Sequence, residues 1–282
     1  MVHQFTRKEI NARLRQKIAD KKPIVIGGAG IGLVAKIADQ AGIDLLMGYN
    51  TGPFRMDGHG SLSGYLAYGD SNGMTLTLGE HLLKVIKNTP LIGGIGAADP
   101  YRDIDQLIER MMAMGFSGIT NVPTTGLYDG IFRKQIDATN LGYPEEVKLV
   151  ENCNKRDIFT AVYAFSEEEA KAMAAAGADL IGAHVGLTLG GTIGAGSALE
   201  LDAACERTQK ILEAARKENP DIIVVCHGGP FDYPENVQYC FDHTDVNGFI
   251  GASSVERLPV EKAIRECIEQ FQTVYKHFVL DI

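Results

Sequence analysis

VVCHGGP (Val224–Pro230) carries an apolar run straight into a histidine, two glycines and a proline. LIGAHVG (Leu180–Gly186), about forty residues earlier, does the same. A buried strand that stops on a polar side chain and passes into a glycine turn is the end of a β unit. Outward from these two, short β-rich apolar runs alternate with longer amphipathic ones, which predicts a parallel sheet with helical crossovers. Eight strands are expected: PIVIGG from Pro23, IDLLMGYN from Ile43, PLIGGIG from Pro90, FSGITNV from Phe116, IFTAVYAF from Ile158, ADLIGAHV from Ala178, IIVVCHG from Ile222 and VNGFIGA from Val246. Helical patterns lie between them at 33–40, 80–87, 104–114, 167–176, 201–218, 234–241 and 260–277.

The punctuation agrees with the periodicity. Ser166 followed by Glu169 reads as a capping box, and Pro100, Pro234 and Pro259 fall where a first helical turn tolerates proline. Gly42, Gly115 and Gly177 follow amphipathic runs as C-terminal caps do. Eight even β/α units after one extra helix fit an α/β fold of the (β/α)8 TIM-barrel type better than a doubly wound sheet. No linker or composition shift divides the 282 residues, so a single barrel domain over 1–282 is expected, with 1–22 as an N-terminal helical extension.

Bulk composition narrows the partners. A formal charge of −9 without a lysine or arginine cluster argues against nucleic acid and anionic membranes. The five cysteines are scattered and never spaced as Cys-x-x-Cys, which favours reduced thiols in a cytoplasm. The N-terminus is charged and helical in pattern rather than an apolar export signal, and no run approaches the roughly 20 apolar residues of a membrane span.

His184 and His227 end adjacent strands, so they should be neighbours at the barrel mouth. Two imidazoles and a carboxylate make a ligand set for a divalent ion such as Mn, Zn or Mg, and Asp99 after the third strand is the carboxylate nominated, with Glu200 and Glu256 in reserve. Each histidine could instead bond a backbone group at its strand end. GAGIG (Gly28–Gly32) lacks the third glycine of a dinucleotide loop, so Gly28 is expected to let backbone approach a ligand, or simply to serve a tight turn.

Three strand-to-helix connections are long, 50–79, 124–157 and 186–199, and such loops carry function in this fold. In the first, Asn50 and Arg55 could bind a carboxylate while Asp57 or His59 moves a proton. Tyr163 and Asn121, near the ends of strands five and four, complete a polar ring, and Tyr163 is a third candidate for moving the proton. Gly228, Gly229, Ser253 and Ser254 form a candidate anion pocket after strands seven and eight. No lysine ends a strand, which disfavours a Schiff base.

The ordered set YNTGPFRMDGHGSLSGYLAYGDSN, AADPYRD, NVPTTGLYDGIFR, AHVGLTLGGTIGA, CHGGP and GASSVERLPVE resembles the phosphoenolpyruvate hydrolase-like TIM-barrel family, which also supplies the C-terminal domain of a plant tobamovirus-resistance protein. The resemblance runs from Pro23 onward and implies a barrel of the phosphoenolpyruvate and pyruvate enzyme group, often homo-oligomeric. Pro53, Asp57 and His59 depart from the family's arginine-rich pattern in the first long loop, which favours a less charged oxo acid over a phosphorylated one. IGAHVG with CHGG is also similar to the histidine segments of class II, metal-dependent aldolases. The expected function is metal-assisted, aldolase-like cleavage or hydrolysis of a carbon–carbon bond in a small oxo or hydroxy acid. The alternatives are phosphoenolpyruvate hydrolysis and a barrel that binds a small ligand or a protein without turnover.

Overall fold

The computed structural model describes residues 3–275. Each of the eight expected strands forms, and they close in sequence order into a parallel barrel. In chain order the elements are α1 (Arg7–Ala19), β1 (Ile24–Gly28), α2 (Gly32–Gln40), β2 (Leu45–Gly48), α3 (Thr51–Met56), α4 (Ser71–Leu82), β3 (Leu91–Gly94), α5 (Ile104–Met114), β4 (Gly118–Thr120), α6 (Gly130–Ala138) and α7 (Tyr143–Lys155). There follow β5 (Phe159–Ala164), α8 (Glu167–Ala175), β6 (Leu180–His184), α9 (Leu201–Glu218), β7 (Ile223–His227), α10 (Pro234–His243), β8 (Gly248–Gly251), α11 (Ala252–Val255) and α12 (Arg257–Gln272).

Strand alternation separates two cores. Ile24, Ile26, Leu45, Met47, Ile92, Phe159, Ala161, Leu180, Ile223, Val225 and Ile250 fill the interior, while Val224 and Cys226 face the helices. The extra helix α1, opened by a Thr6–Glu9 capping box, buries Ile10 and Leu14 in that same interior cluster. The mouth formed by the strand ends is left for chemistry.

Local signals hold unevenly. Gly42, Gly115 and Gly177 follow their helices at positive φ, and Pro234 opens α10. Only half of the capping box at α8 forms, because Glu169 turns its carboxylate to the Phe165 N–H instead of the Ser166 N–H. Pro100 lies in the turn ahead of α5, whose N-cap is Asp103.

Two of the three long connections contain helices. α3, a 3-10 turn at Ser61–Tyr65 and α4 occupy the first, so the helix placed at 80–87 in fact runs over Ser71–Leu82. Its sequence, SNGMTLTLGEHL, mixes Asn, Thr and Gly into the buried face, which hides the helical period. In the second connection, α7 buries Leu149, Val150 and Cys153 and serves as the crossover from β4 to β5. The third, 186–199, has no helix and forms a short bridge between Leu189 and Ala195. The last helix begins at Arg257, and positions 276–277 of its expected span lie outside the described residues.

Candidate functional site

His184 and His227 are register partners across β6 and β7, with ring centroids 4.7 Å apart. Both point inward because each continues the interior phase of its strand. Their backbone partners give them opposite tautomers. The Gly186 N–H donates to His184 Nδ1 at 3.1 Å, which puts the His184 proton on Nε2. His227 Nδ1 donates to the Ile250 carbonyl at 2.7 Å, which leaves its Nε2 a bare acceptor. The pair therefore offers one donor and one acceptor side by side.

Burial keeps both rings neutral. It pushes His184 well below the usual imidazole range, with His227 adding to the effect, and pushes His227 down to about 4. Because the unfolded chain binds this proton between about pH 4 and pH 6.5 and the folded chain does not, the His227 contribution to stability rises with pH through that window. The stability difference between wild type and His227→Gln should grow by on the order of 3 kcal/mol from pH 4 to pH 6.5 in urea unfolding. A pH-independent difference would contradict a neutral buried ring. The comparison is needed because Glu146, pushed up to about 7 by burial, works in the opposite sense: its contribution falls as pH rises from 4.5 to about 7.

A cavity of about 250 Å³ at the mouth is lined by both histidines together with Tyr49, Tyr65, Tyr163 and Ser253. Tyr163 and Tyr49 bring their hydroxyls within 3.4 Å of each other. Connection 186–199 roofs it: the Leu189 N–H bonds the Gly229 carbonyl, and Arg257 Nη2 donates to the Gly190 carbonyl. Gly228 and Gly229, at φ +80° and +55°, make the turn that lets β7 meet this roof and do not line the cavity.

Arg55 lines the cavity too, but its charge is met within the protein. Its Nε and Nη2 lie 2.9 and 2.8 Å from Glu256 Oε2, Nη1 donates to Thr51 at 2.7 Å, and both members of the pair are fully buried. Gly28 leaves room for this guanidinium, since a Cβ there would sit 3.0 Å from Arg55 Nη2. Gly30 donates its N–H to the other Glu256 oxygen. The expected ligand approach by GAGIG is thus a close approach of the chain to its own ion pair, and Glu256 is unavailable as a reserve metal ligand.

Several expected site residues lie elsewhere. Asp57 and His59 are exposed, as is Glu200, and none of them lines the mouth cavity. Asn121 braces β4 to β5 through Tyr163 and Glu146, Asn50 holds Gly64 and Ser71, and Ser254 reaches the Phe231 carbonyl at 3.4 Å. Asp99 belongs to a second, wider cavity of about 730 Å³, where it accepts from Asn72, the Tyr101 N–H and Arg102; Tyr65 forms a wall of both cavities.

Among the described residues no three His, Cys, Asp or Glu side chains gather as a metal site, and no helix is long and apolar enough to cross a membrane. The sequence reading missed Tyr49, Tyr65, Arg257 and the buried Glu146. Tyr49 was within reach, being in phase with Leu45 and Met47; Tyr65 sits on a 3-10 turn with no periodic signal.

The phosphoenolpyruvate hydrolase-like family model matches residues 9–274. The chain belongs to the phosphoenolpyruvate hydrolase-like family. Two curated tomato (Solanum lycopersicum) relatives, the ToMV susceptible protein tm-1(GCR26) and the ToMV resistance protein Tm-1(GCR237), are each 43% identical to it over 263 residues, 93% of this chain. The chain spans only 35% of the length of those relatives. Solved structures share this family member's fold at low identity. Phosphonopyruvate hydrolase in complex with oxalate and Mg2+ superposes with a TM-score of 0.58 at 19% identity, covering 93% of this chain and 87% of that one. 2,3-Dimethylmalate lyase, of the PEP mutase/isocitrate lyase superfamily, gives 0.57 at 17% identity, covering 99% and 93%.

Proposed function

We propose that the barrel is a lyase or hydrolase that cleaves a carbon–carbon bond in a small oxo or hydroxy carboxylic acid held in the mouth cavity. The observation that carries the reading is the pair of neutral histidines with opposite tautomers at one level of adjacent strands. On a β-hydroxy carbonyl substrate, His227 Nε2 takes the hydroxyl proton, the bond between the two carbons breaks, and its electron pair moves into the carbonyl. His184 Nε2–H, with the Tyr163 hydroxyl nearby, meets the enolate oxygen as a neutral donor, and protonated His227 returns its proton to the enolate carbon. The proton has moved from oxygen to carbon, and two carbonyl products leave. Ser253, at 7% exposure and facing the cavity, is the hydroxyl that would hold the substrate carboxylate.

The charge balance favours a lightly charged substrate. Arg55 is paired with Glu256 and Arg257 with Glu261, so the cavity lining has no spare cation for a phosphate ester. Incubation with a panel of 2-oxo and 3-hydroxy acids, read by mass spectrometry, should show carbon–carbon cleavage, with phosphoenolpyruvate releasing no phosphate. Phosphate release with no cleavage in the panel would sink the reading. The names of the tomato relatives favour a second reading, a barrel that binds without turnover; saturable binding of an acid with no product would support it.

The residues present do not suit a metal centre on the histidine pair, because His184 presents an N–H where a ligand needs a lone pair, and Asp99 lines the other cavity. Asp99 Oδ2 is taken by Asn72 and Arg102, so a hard ion with oxygen ligands and waters would be left the Oδ1 atom, which carries one backbone hydrogen bond, on the wider cavity. Bound there, such an ion would polarise an oxygen of a molecule held in the wider cavity, on the far side of Tyr65 from the histidine pair. Calorimetric titration with Mg2+ should give binding that Asp99→Asn weakens at least about tenfold, in line with the loss of a ligating carboxylate. Equal binding by both proteins would remove Asp99 from that role.

A further inference from the structure

Two tyrosines enter the mouth cavity from strands that are not neighbours. Tyr49 follows β2 in the interior phase of Leu45 and Met47, and Tyr163 takes the same phase in β5 after Phe159 and Ala161. Because β3 and β4 lie between these strands, the two side chains reach each other only through the barrel interior, where their hydroxyls stand 3.4 Å apart. Two strand glycines make room for the rings. A Cβ at Gly94 would lie 2.5 Å from Tyr49 Cβ, and one at Gly182 would lie 3.0 Å from Tyr163 Cδ1.

The backbone of Tyr163 is tightly held and its hydroxyl is not. Its N–H donates to Asn121 Oδ1 at 2.8 Å, and its carbonyl accepts from the Tyr143 hydroxyl at 2.6 Å. The Tyr163 hydroxyl donates to the Met47 thioether at 3.6 Å, a weak acceptor. Its contact with Tyr49 is well beyond the roughly 2.7–2.8 Å of a good O–H···O bond. Among the described residues neither hydroxyl has a closer partner, although Tyr49 is 4% and Tyr163 2% exposed and both line the cavity. Buried phenols ordinarily find an acceptor in the protein. These two are positioned donors whose acceptor must come with the ligand. Burial, with Tyr49 adding to it, holds the Tyr163 phenol well above its usual range, so it remains a donor at neutral pH.

We infer that Tyr49 and Tyr163 form an oxyanion-binding pair, whose two hydroxyls donate to the enolate oxygen that His184 meets from the neighbouring β6. The inference rests on the carbon–carbon cleavage proposed above, but its binding half is testable without turnover. A substrate carbonyl is a modest acceptor, whereas an enolate oxygen makes charge-assisted bonds about twice as strong. The pair therefore favours the transition state over the bound acid. It also supplies neutral donors where the lining has no spare cation, since Arg55, 5.7 Å over the Tyr49 ring, is paired with Glu256.

Oxalate, a planar dianion that resembles the enolate of a 2-oxo acid, is the probe, added to the full chain in EDTA so that no metal carries it. Calorimetry should show binding that Tyr49→Phe and Tyr163→Phe each weaken by about 10- to 100-fold, as expected for a lost hydrogen bond to a charged group. Phenylalanine keeps the ring, so circular dichroism should not change. Oxalate should also perturb the tyrosine ultraviolet spectrum of the wild type, and Tyr49→Phe/Tyr163→Phe should lose that difference. Met47→Leu removes only the resting acceptor and should bind oxalate at least as tightly as wild type. With an acid that the protein cleaves, each tyrosine variant should lose about 10²- to 10³-fold in kcat and keep KM within about threefold. The pair is overturned if wild type binds no oxalate, if either phenylalanine variant binds it equally well, or if Met47→Leu weakens it as much as Tyr163→Phe. Tyrosine-dependent binding with no cleavage across the acid panel would uphold the oxyanion site and sink the lyase reading instead.

Discussion

His227→Gln is expected to lower kcat/KM for carbon–carbon cleavage by about 10²- to 10⁴-fold, the usual contribution of one positioned general base. Most of the loss should fall on kcat, because the base acts on a proton in flight and holds no part of the bound acid. The argument rests on the direction of one hydrogen bond: the Ile250 carbonyl can only accept, so the His227 proton sits on Nδ1 and Nε2 is free. A base pushed down to about 4 stays unprotonated across the neutral range, and the acid limb of the kcat/KM profile should lie near that value. His184→Phe tests the other half. Losing the neutral donor should cost about 10²- to 10³-fold, and the double variant should lose little more than His227→Gln, since the two groups act in one step. Exogenous imidazole should restore part of the rate to His227→Ala. A loss under tenfold in His227→Gln, or rescue by added metal and not by imidazole, would show that the ring is no general base.

The sequence made the barrel and the histidine level legible for the same reason. Strands that end on a polar residue after an apolar alternation fix which side chains face the axis, and adjacent strands in a parallel barrel share a level. His227 in phase with Val225, and Cys226 out of phase, followed from that alternation alone. Hydrogen-bond direction is set by tertiary neighbours, so the sequence pointed to two ligands where the structure has a donor and an acceptor. Position within loops was legible least. Asp57 and His59 share a segment with Arg55, but α3 buries Arg55 and turns Asp57 out as its C-cap, a separation only the helix geometry produces. Asp99 was assigned by its place after a strand, yet the neighbours that claim its oxygens, Asn72 and Arg102, come from α4 and the turn before α5. The helix α7, with Glu146 in its first turn, was hidden inside what read as one long loop.

Glu256→Ala should destabilise the protein by about 3–5 kcal/mol, because it leaves the Arg55 guanidinium buried without its counter-charge. For a chain of this size that is a fall in Tm of roughly 10 °C. The pair is enclosed on both sides: Gly30 donates to one Glu256 oxygen and Thr51 accepts from Arg55, so losing the carboxylate also orphans a backbone N–H. Both side chains are buried, and a surface-pair value near zero does not apply. The double variant Arg55→Leu/Glu256→Leu should recover most of the loss, since replacing both charges by apolar groups removes the uncompensated ion. Stability and function should then part. The double variant folds, but the wall of the mouth cavity has changed from a positioned guanidinium to an alkyl group, and affinity for the substrate acid should fall while the acid limb set by His227 moves up from about 4, because the Arg55 charge helps burial hold that ring's pKa down. If Glu256→Ala unfolds within about 1 kcal/mol of wild type, the ion pair does not close this wall, and Arg55 regains the role of a free clamp for the substrate carboxylate.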